Sequence, residues 1–260
     1  MKCKDIIKWL EEKYPVSYAE DWDNVGLLVG SDEKEVKKVF LALDLTEETL
    51  GEAVSLGADM IITHHPMIFS GIKKINNHSF TGRRILSLVE HGISYYAMHT
   101  NYDVKGMASL SAEYLKLQDT RVLSVTEETA DGPEGFGRVG KLPRPMSLKE
   151  CALHVKDCLQ TEHVNVYGNL EAQVTTAAVC TGSGKSMIDA AIETGAEVYI
   201  TGDIDHHTGI DTVAKGLFLI DAGHYGTEYM FTERMGKEMR EHYPELEIVQ
   251  AVKKFPYACI

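Results

Sequence analysis

Two adjacent histidines, His64 and His65, close the apolar run Ile61-Ile62-Thr63 and stand just before Pro66. Two histidine-and-acid sets follow runs of the same kind. His99 and Asp103 come after the stretch from Ile93 to Met98, and His224 and Glu228 come after Leu217 to Ile220. Imidazoles and carboxylates in this mixture suit borderline divalent cations: Zn, Fe, Mn, Co or Ni. There are enough of them for two ions. Adjacent side chains on an extended chain point to opposite sides. His64 and His65 can therefore serve two ions, or one ion and one supporting partner. Asp103 and Glu228 share a His-x3-acid spacing. A carboxylate can bridge two cations and hold them roughly 3.5–4 Å apart, which an imidazole cannot do. Glu228 is the expected bridge. His99 is a candidate to orient Asp103, and His99 and His207 are the candidates for carrying a proton. His206-His207 follow Asp203-Ile204-Asp205, and ligand, relay or plain helix start all stay open for them.

The elements that must position these groups are legible as an internal echo. Val54 to His65 reads helix end, Gly57 as the helix stop, a short buried strand, then Thr and polar residues. Ile192 to Asp203 reads the same, with Gly195 standing 138 positions after Gly57. Upstream, Val39 to Leu43 answers Ala177 to Cys180; downstream, helices end at Gly92 and at Gly216. Four matches in one order imply two related βαβαβ units. Strands alternating with helices imply mixed or parallel sheets covered on both faces. The expected fold is α/β, with two related halves of mixed sheet flanked by helices. In such sheets ligands bind beyond the carboxyl ends of the strands, so the metal site is expected there, between the halves. The approximate division is 1–125 and 126–260, with the C-terminal segment expected to be able to pack back on the first half.

Residues 126–137 are acidic and turn-rich and read as a loop. Arg138 to Leu142 reads as a short strand broken by Pro143 and Pro145. Ser147 with Glu150 reads as a capping box opening a helix through Leu159. Thr181-Gly182-Ser183-Gly184-Lys185-Ser186 resembles a phosphate loop but fails its spacing, since Val179 stands where the first Gly belongs. A tight strand-to-helix turn is the favoured reading; an anion held by its N–H groups is the other. Trp22-Asp23-Asn24-Val25-Gly26-Leu27 is a turn or a pocket wall. Lys73, Lys74, Arg83 and Arg84 form the notable basic cluster near the paired histidines, a solvated face or a contact for a substrate phosphate.

The chain has 260 residues and a formal net charge of -13, which argues against a general nucleic-acid grip. Cys3, Cys151, Cys158, Cys180 and Cys259 form no CxxC pair, and they read as reduced thiols in a cytoplasm. The first residues read as an amphipathic helix rather than a secretory signal. No apolar stretch approaches a membrane span.

Taken together, Trp22 to Leu27, Thr63-His64-His65-Pro66, His99 to Asp103, Thr201-Gly202-Asp203 and Ala222 to Glu228 resemble the Nif-three-like family of dinuclear-metal hexameric proteins. Its members are often named GTP cyclohydrolase I type 2 homologues. The resemblance runs over nearly the whole chain. It implies two α/β domains per subunit, a homohexameric toroid and metal sites facing its inner cavity. By motif it implies that His64, Asp103 and Glu228 hold one ion, and that His65, His224 and Glu228 hold the other. The chain departs from the family at Gly106-Met107-Ala108-Ser109, where an Asn-Asp pair is usual, and it looks like the short form without an inserted domain.

The activity so implied is that of a divalent-metal-dependent hydrolase opening the imidazole ring of GTP. Two alternatives stand beside it: a metal-dependent phosphoesterase on another nucleotide or metabolite, and a non-catalytic metal-binding regulatory or scaffold protein. Nothing in the residues reads guanine.

Overall fold

Short apolar strands alternating with helices that end at glycines of positive φ build two mixed sheets. The protein is described by a computed structural model covering residues 1–258; Cys259 lies outside the described residues. The chain divides into two units. The first comprises Met1–Tyr102 and Phe231–Lys254, the second Asp103–Met230 and residues 255–258.

In the first unit, helix α1 (Cys3–Lys13) precedes β1 (Gly26–Val29), β2 (Lys38–Ala42), α2 (Glu47–Ser55), β3 (Met60–Thr63), α3 (Phe80–Glu90), β4 (Ser94–Ala97) and the short α4 (Thr100–Tyr102). In the second, a π-helical turn over Asp103–Met107 leads to α5 (Ala108–Tyr114), β5 (Gln118–Thr129), β6 (Gly132–Ser147), α6 (Leu148–Leu159), β7 (Asn165–Tyr167) and β8 (Gln173–Ser183). Then come α7 (Ile188–Glu193), β9 (Val198–Gly202), α8 (His206–Ala214), β10 (Phe218–Asp221) and α9 (His224–Glu228). After α10 (Met230–His242), β11 (Glu247–Gln250) joins the first unit's sheet.

The sheet orders are β1-β4-β3-β2-β11 and β5-β6-β8-β9-β10-β7. In the first, β2, β3 and β4 are parallel neighbours, with β1 antiparallel on β4. In the second, β8, β9 and β10 are parallel neighbours, with β7 antiparallel on β10. The expected pair of βαβαβ units is present; the first carries antiparallel β1 on one side, and the second is flanked by antiparallel strands on both, β7 on β10 and β6 on β8. The register repeats too: Val39 faces Met60 as Ala177 faces Val198. Gly57 (φ 67°) and Gly195 (φ 76°) stop α2 and α7 in the left-handed conformation that glycine adopts without strain. Each core is a sheet face packed on its helices. Phe40, Ile61 and Tyr95 meet Leu50, Ala53 and Leu88 in the first, and Ala178, Tyr199 and Leu219 meet Ile188 and Ala191 in the second.

Two expectations need correcting, the loop over 126–137 and the strand end at Leu142. Residues 126–137 are not a loop: β5 and β6 form a long antiparallel hairpin joined through Ala130-Asp131, with Gly132 at φ 119°. An exposed hairpin satisfies its backbone groups by pairing and needs no apolar face, so the acidic tip carried no hydrophobic signal. Pro143 and Pro145 lie inside β6, where the register against β8 shifts between Lys141 and Met146, and a bulge tolerates residues with no N–H to give. The capping box at Ser147 and Glu150 is present, and α6 ends at Leu159.

Candidate metal centre

In the first unit, β3 stops at Thr63 and the chain turns with His64-His65. Thr63 Oγ1 donates to the His65 carbonyl (2.7 Å) and lies 2.8 Å from Tyr95 Oη, which accepts the Met67 N–H (2.9 Å). Burial pushes the Tyr95 phenol up to about 12, so it stays protonated and holds the turn. His64 is fully buried. Its Nδ1 donates to the Met98 carbonyl (2.9 Å), while His65 Nδ1 meets Asp44 Oδ1 (2.8 Å) and His99 Nδ1 meets Asp23 Oδ1 (2.9 Å). A carbonyl or carboxylate only accepts. Each Nδ1 therefore carries a proton, which leaves Nε2 as the nitrogen each ring can offer to a metal. One ring nitrogen from each of the three lies within 4.8 Å of the others.

Asp23 is the residue behind His99. Its side chain is fully buried, and its second oxygen accepts the Thr100 N–H (3.0 Å) and hydroxyl (2.5 Å). Burial pushes the Asp23 carboxyl up, but the hydrogen bonds from His99 and Thr100 outweigh it and hold the group well below the usual carboxylate range. The Trp22-to-Leu27 motif thus has a physical task at its second residue, which composition alone did not show.

In the second unit, β10 ends at Asp221 and Gly223 (φ 74°) turns the chain into α9. His224 and Glu228 lie one helical turn apart on that helix, with Nε2 and Oε2 3.0 Å from each other. His224 Nδ1 donates to Asp203 Oδ2 (2.7 Å). Asp203 sits at φ 57°, a left-handed conformation rare outside glycine and a form of strain typical of functional sites. Gly182 (φ 63°) makes room for the pair: a Cβ there would collide with the Glu228 carboxylate and come 3.4 Å from His224 Nε2. Thr227 locks the same corner, accepting the Gly182 N–H (2.9 Å) and donating to the His224 carbonyl (2.9 Å). Nearby, the Cys180 thiol is pushed up to about 12, first by burial and then by the charges of Asp103 and Glu228.

The His224–Glu228 pair tests whether these residues fit a cation. With Nδ1 donating to Asp203, Nε2 turns a lone pair toward a carboxylate oxygen only 3.0 Å away. Two acceptors at that distance repel unless a proton or a cation lies between them. Nitrogen and oxygen ligands each about 2.0–2.2 Å from one zinc-like ion stand roughly 3 Å apart. The donor set and its spacing fit.

The remaining candidates lie elsewhere. His206 and His207 are exposed on the first turn of α8, their rings 5.2 Å apart, behind the N-cap Asp205, which accepts the Thr208 N–H (3.0 Å). The segment from Thr181 is a tight turn: the N–H groups of Gly182 and Gly184 are taken by Thr227 and Thr201, and Lys185 meets Asp205 (2.7 Å). Arg83 pairs with Glu47 (3.1 Å) and Arg84 lies over the Phe80 ring (4.9 Å), whereas Lys73 and Lys74 are exposed. The three orienting acids, Asp23, Asp44 and Asp203, were not singled out as such from the sequence. The available signal was an acid at or just beyond a strand end, as Asp44 and Asp203 are.

With this geometry in view, comparison with known proteins places the chain. The model of the Duf34/NIF3 (NGG1p interacting factor 3) family matches residues 1–256. The chain belongs to that family. A relative from Clostridium perfringens named GTP cyclohydrolase 1 type 2 homolog is 35% identical over 243 residues, 93% of this chain and 92% of its own length. Among solved structures, a Bacillus cereus protein related to NIF3 superposes with TM-score 0.92 at 25% identity, covering 100% of this chain and 99% of that one. A Staphylococcus aureus hypothetical protein does so at 0.90 and 28% identity, with the same coverage. Among the described residues no helix is long and apolar enough to cross a membrane.

Proposed function

We propose that the protein is a divalent-metal-dependent hydrolase with two ions per subunit, held by His64, His65, Asp103, His224 and Glu228. In this reading His64, Asp103 and Glu228 serve one ion and His65, His224 and Glu228 the other, with Glu228 as the bridge. The observation that carries it is the common device behind the histidines: Met98, Asp44 and Asp203 each fix an Nδ1 proton on His64, His65 and His224. That is the arrangement by which proteins orient imidazole ligands and raise their basicity.

When bound, such a pair of cations supplies Lewis acidity and lowers the pKa of a coordinated water. The chain's own residues do the rest. Buried Glu228 contributes the negative charge that offsets cation repulsion, and Gly182 keeps the space beside it clear. His99, held by Asp23, is the imidazole placed to take or give a proton; His207, exposed on α8, is the weaker candidate for that role.

The relatives' shared name makes hydrolytic opening of the GTP imidazole ring the substrate-level form of this reading. A homohexamer working in the cytoplasm completes it. The test measures metal content by elemental analysis of protein purified without chelators, then formate release from GTP with each divalent metal. About two ions per chain with formate release is the expected result. Two ions without release at any metal removes the GTP assignment, and no stoichiometric metal removes the whole reading.

A further inference from the structure

Trp22 and Phe69, both in the first unit, are 56% and 51% exposed. An exposed indole loses the favourable burial that aromatic side chains normally gain. Here the two rings stack on each other, with centroids 5.9 Å apart and planes 20° from parallel. The His99 ring stands edge-on to both, at 6.0 Å from Trp22 and 5.7 Å from Phe69. The stack thus abuts the cluster of His64, His65 and His99.

Its backbone is fixed. The Glu20 N–H donates to Thr100 Oγ1 (2.9 Å), and the neighbouring Asp23 is tied to His99 and Thr100. Asn24 Nδ2 donates to the Ile68 carbonyl (2.6 Å), joining the Trp22 segment to the residue before Phe69. Two solvent-facing aromatics held this firmly form a preorganised surface. On the same loop Lys73 and Lys74 are exposed, a local positive charge in a chain of net charge -13.

We propose that Trp22 and Phe69 are a stacking platform for the base of a purine nucleotide, setting the ring's reactive edge toward the histidine cluster. A flat two-ring heterocycle matches the indole face, and stacking tolerates any base because every base has a π face. The platform deepens the hydrolase reading and rests on it for which edge reacts; Trp22 and Phe69 act as positioning residues.

The test is equilibrium dialysis of the full-length protein, metal-free and metal-loaded, against labelled guanosine and against ribose 5-phosphate, which has no base. Saturable guanosine binding is expected, and Trp22→Ala should leave any binding of ribose 5-phosphate unchanged. Trp22→Ala and Phe69→Ala should each weaken guanosine binding about ten-fold, within the roughly 5- to 150-fold that base–aromatic stacking commands. Trp22→Phe should recover most of it, and metal content should stay at the wild-type level in all three.

No saturable guanosine binding by the wild type, or unchanged binding by Trp22→Ala, overturns the platform. So does a Trp22→Ala protein that keeps guanosine binding but changes oligomeric state, which would assign the patch to a second copy of the chain. Protein that holds metal but no guanosine sinks the platform and leaves the metal reading standing. Protein that binds guanosine through Trp22 yet never holds metal does the reverse.

Discussion

The two βαβαβ units differ less in backbone than in what they place at matching strand ends. Asp59 accepts the N–H groups of Lys37 and Lys38 at the start of β2. Its counterpart Glu197, 138 residues later, accepts those of Thr175 and Thr176 in β8. The framework is repeated down to this detail. The chemistry is not. His65 in the first unit corresponds to Asp203 in the second, and Asp44 corresponds to Gly182. One unit presents an imidazole cluster steadied by acids, and the other presents a histidine–carboxylate pair that needs empty space beside it. A duplicated backbone fixes where side chains emerge, and single substitutions there decide whether a position ligates, orients or clears room.

The sharpest way to break this comparison is Glu228→Gln. It keeps the shape and removes the buried charge, so metal affinity should fall by more than about 100-fold, beyond the effect usual for an outer-shell partner. Retention of two ions per chain by elemental analysis would end the proposed bridging role. Next comes the cleared space. Gly182→Ala puts a Cβ at φ 63° and into Glu228, so about 2 kcal/mol or more of stability should go, roughly 4–8 °C in Tm. Gly57→Ala, at φ 67° with open space around it, should cost only about 1 kcal/mol. Equal melting temperatures for the two variants would remove the packing argument.

The orienting acids sharpen the contrast further. Asp203→Asn and Asp44→Asn should each weaken metal binding about 10–100-fold while leaving the fold intact by circular dichroism. A loss confined to one variant would show that only one unit depends on its acid.

The smallest effect concerns pH. Burial raises the carboxyls of Asp59 and Glu197, but the N–H groups they accept outweigh it and leave both below their ordinary values. Groups depressed on folding contribute stability that is complete above their unfolded pKa of about 4 and is lost as pH falls through the lower folded value. Urea midpoints at pH 7, 4 and 3 should therefore fall less steeply for Asp59→Asn and Glu197→Gln than for the parent. The difference should be under about 1 kcal/mol each, since both groups are partly solvated. Parallel curves for parent and variants would refute it.

The sequence by itself determined the repeated units, the glycine stops, the capping box at Ser147 and the family. These rest on local rules: periodicity, positive-φ glycine and residue spacing act over a few positions and survive without knowledge of the rest of the chain. Tertiary structure decided what the local pattern could not carry. Asp23 reaches His99 across 76 residues and Asp203 reaches His224 across 21, and no spacing rule links them. The β5–β6 hairpin was missed for the same reason, since its acidic tip is held by pairing with its partner strand rather than by any apolar face of its own. The tautomer of each histidine, and with it the readiness of Nε2 for a cation, follows from which acceptor the fold brings to Nδ1.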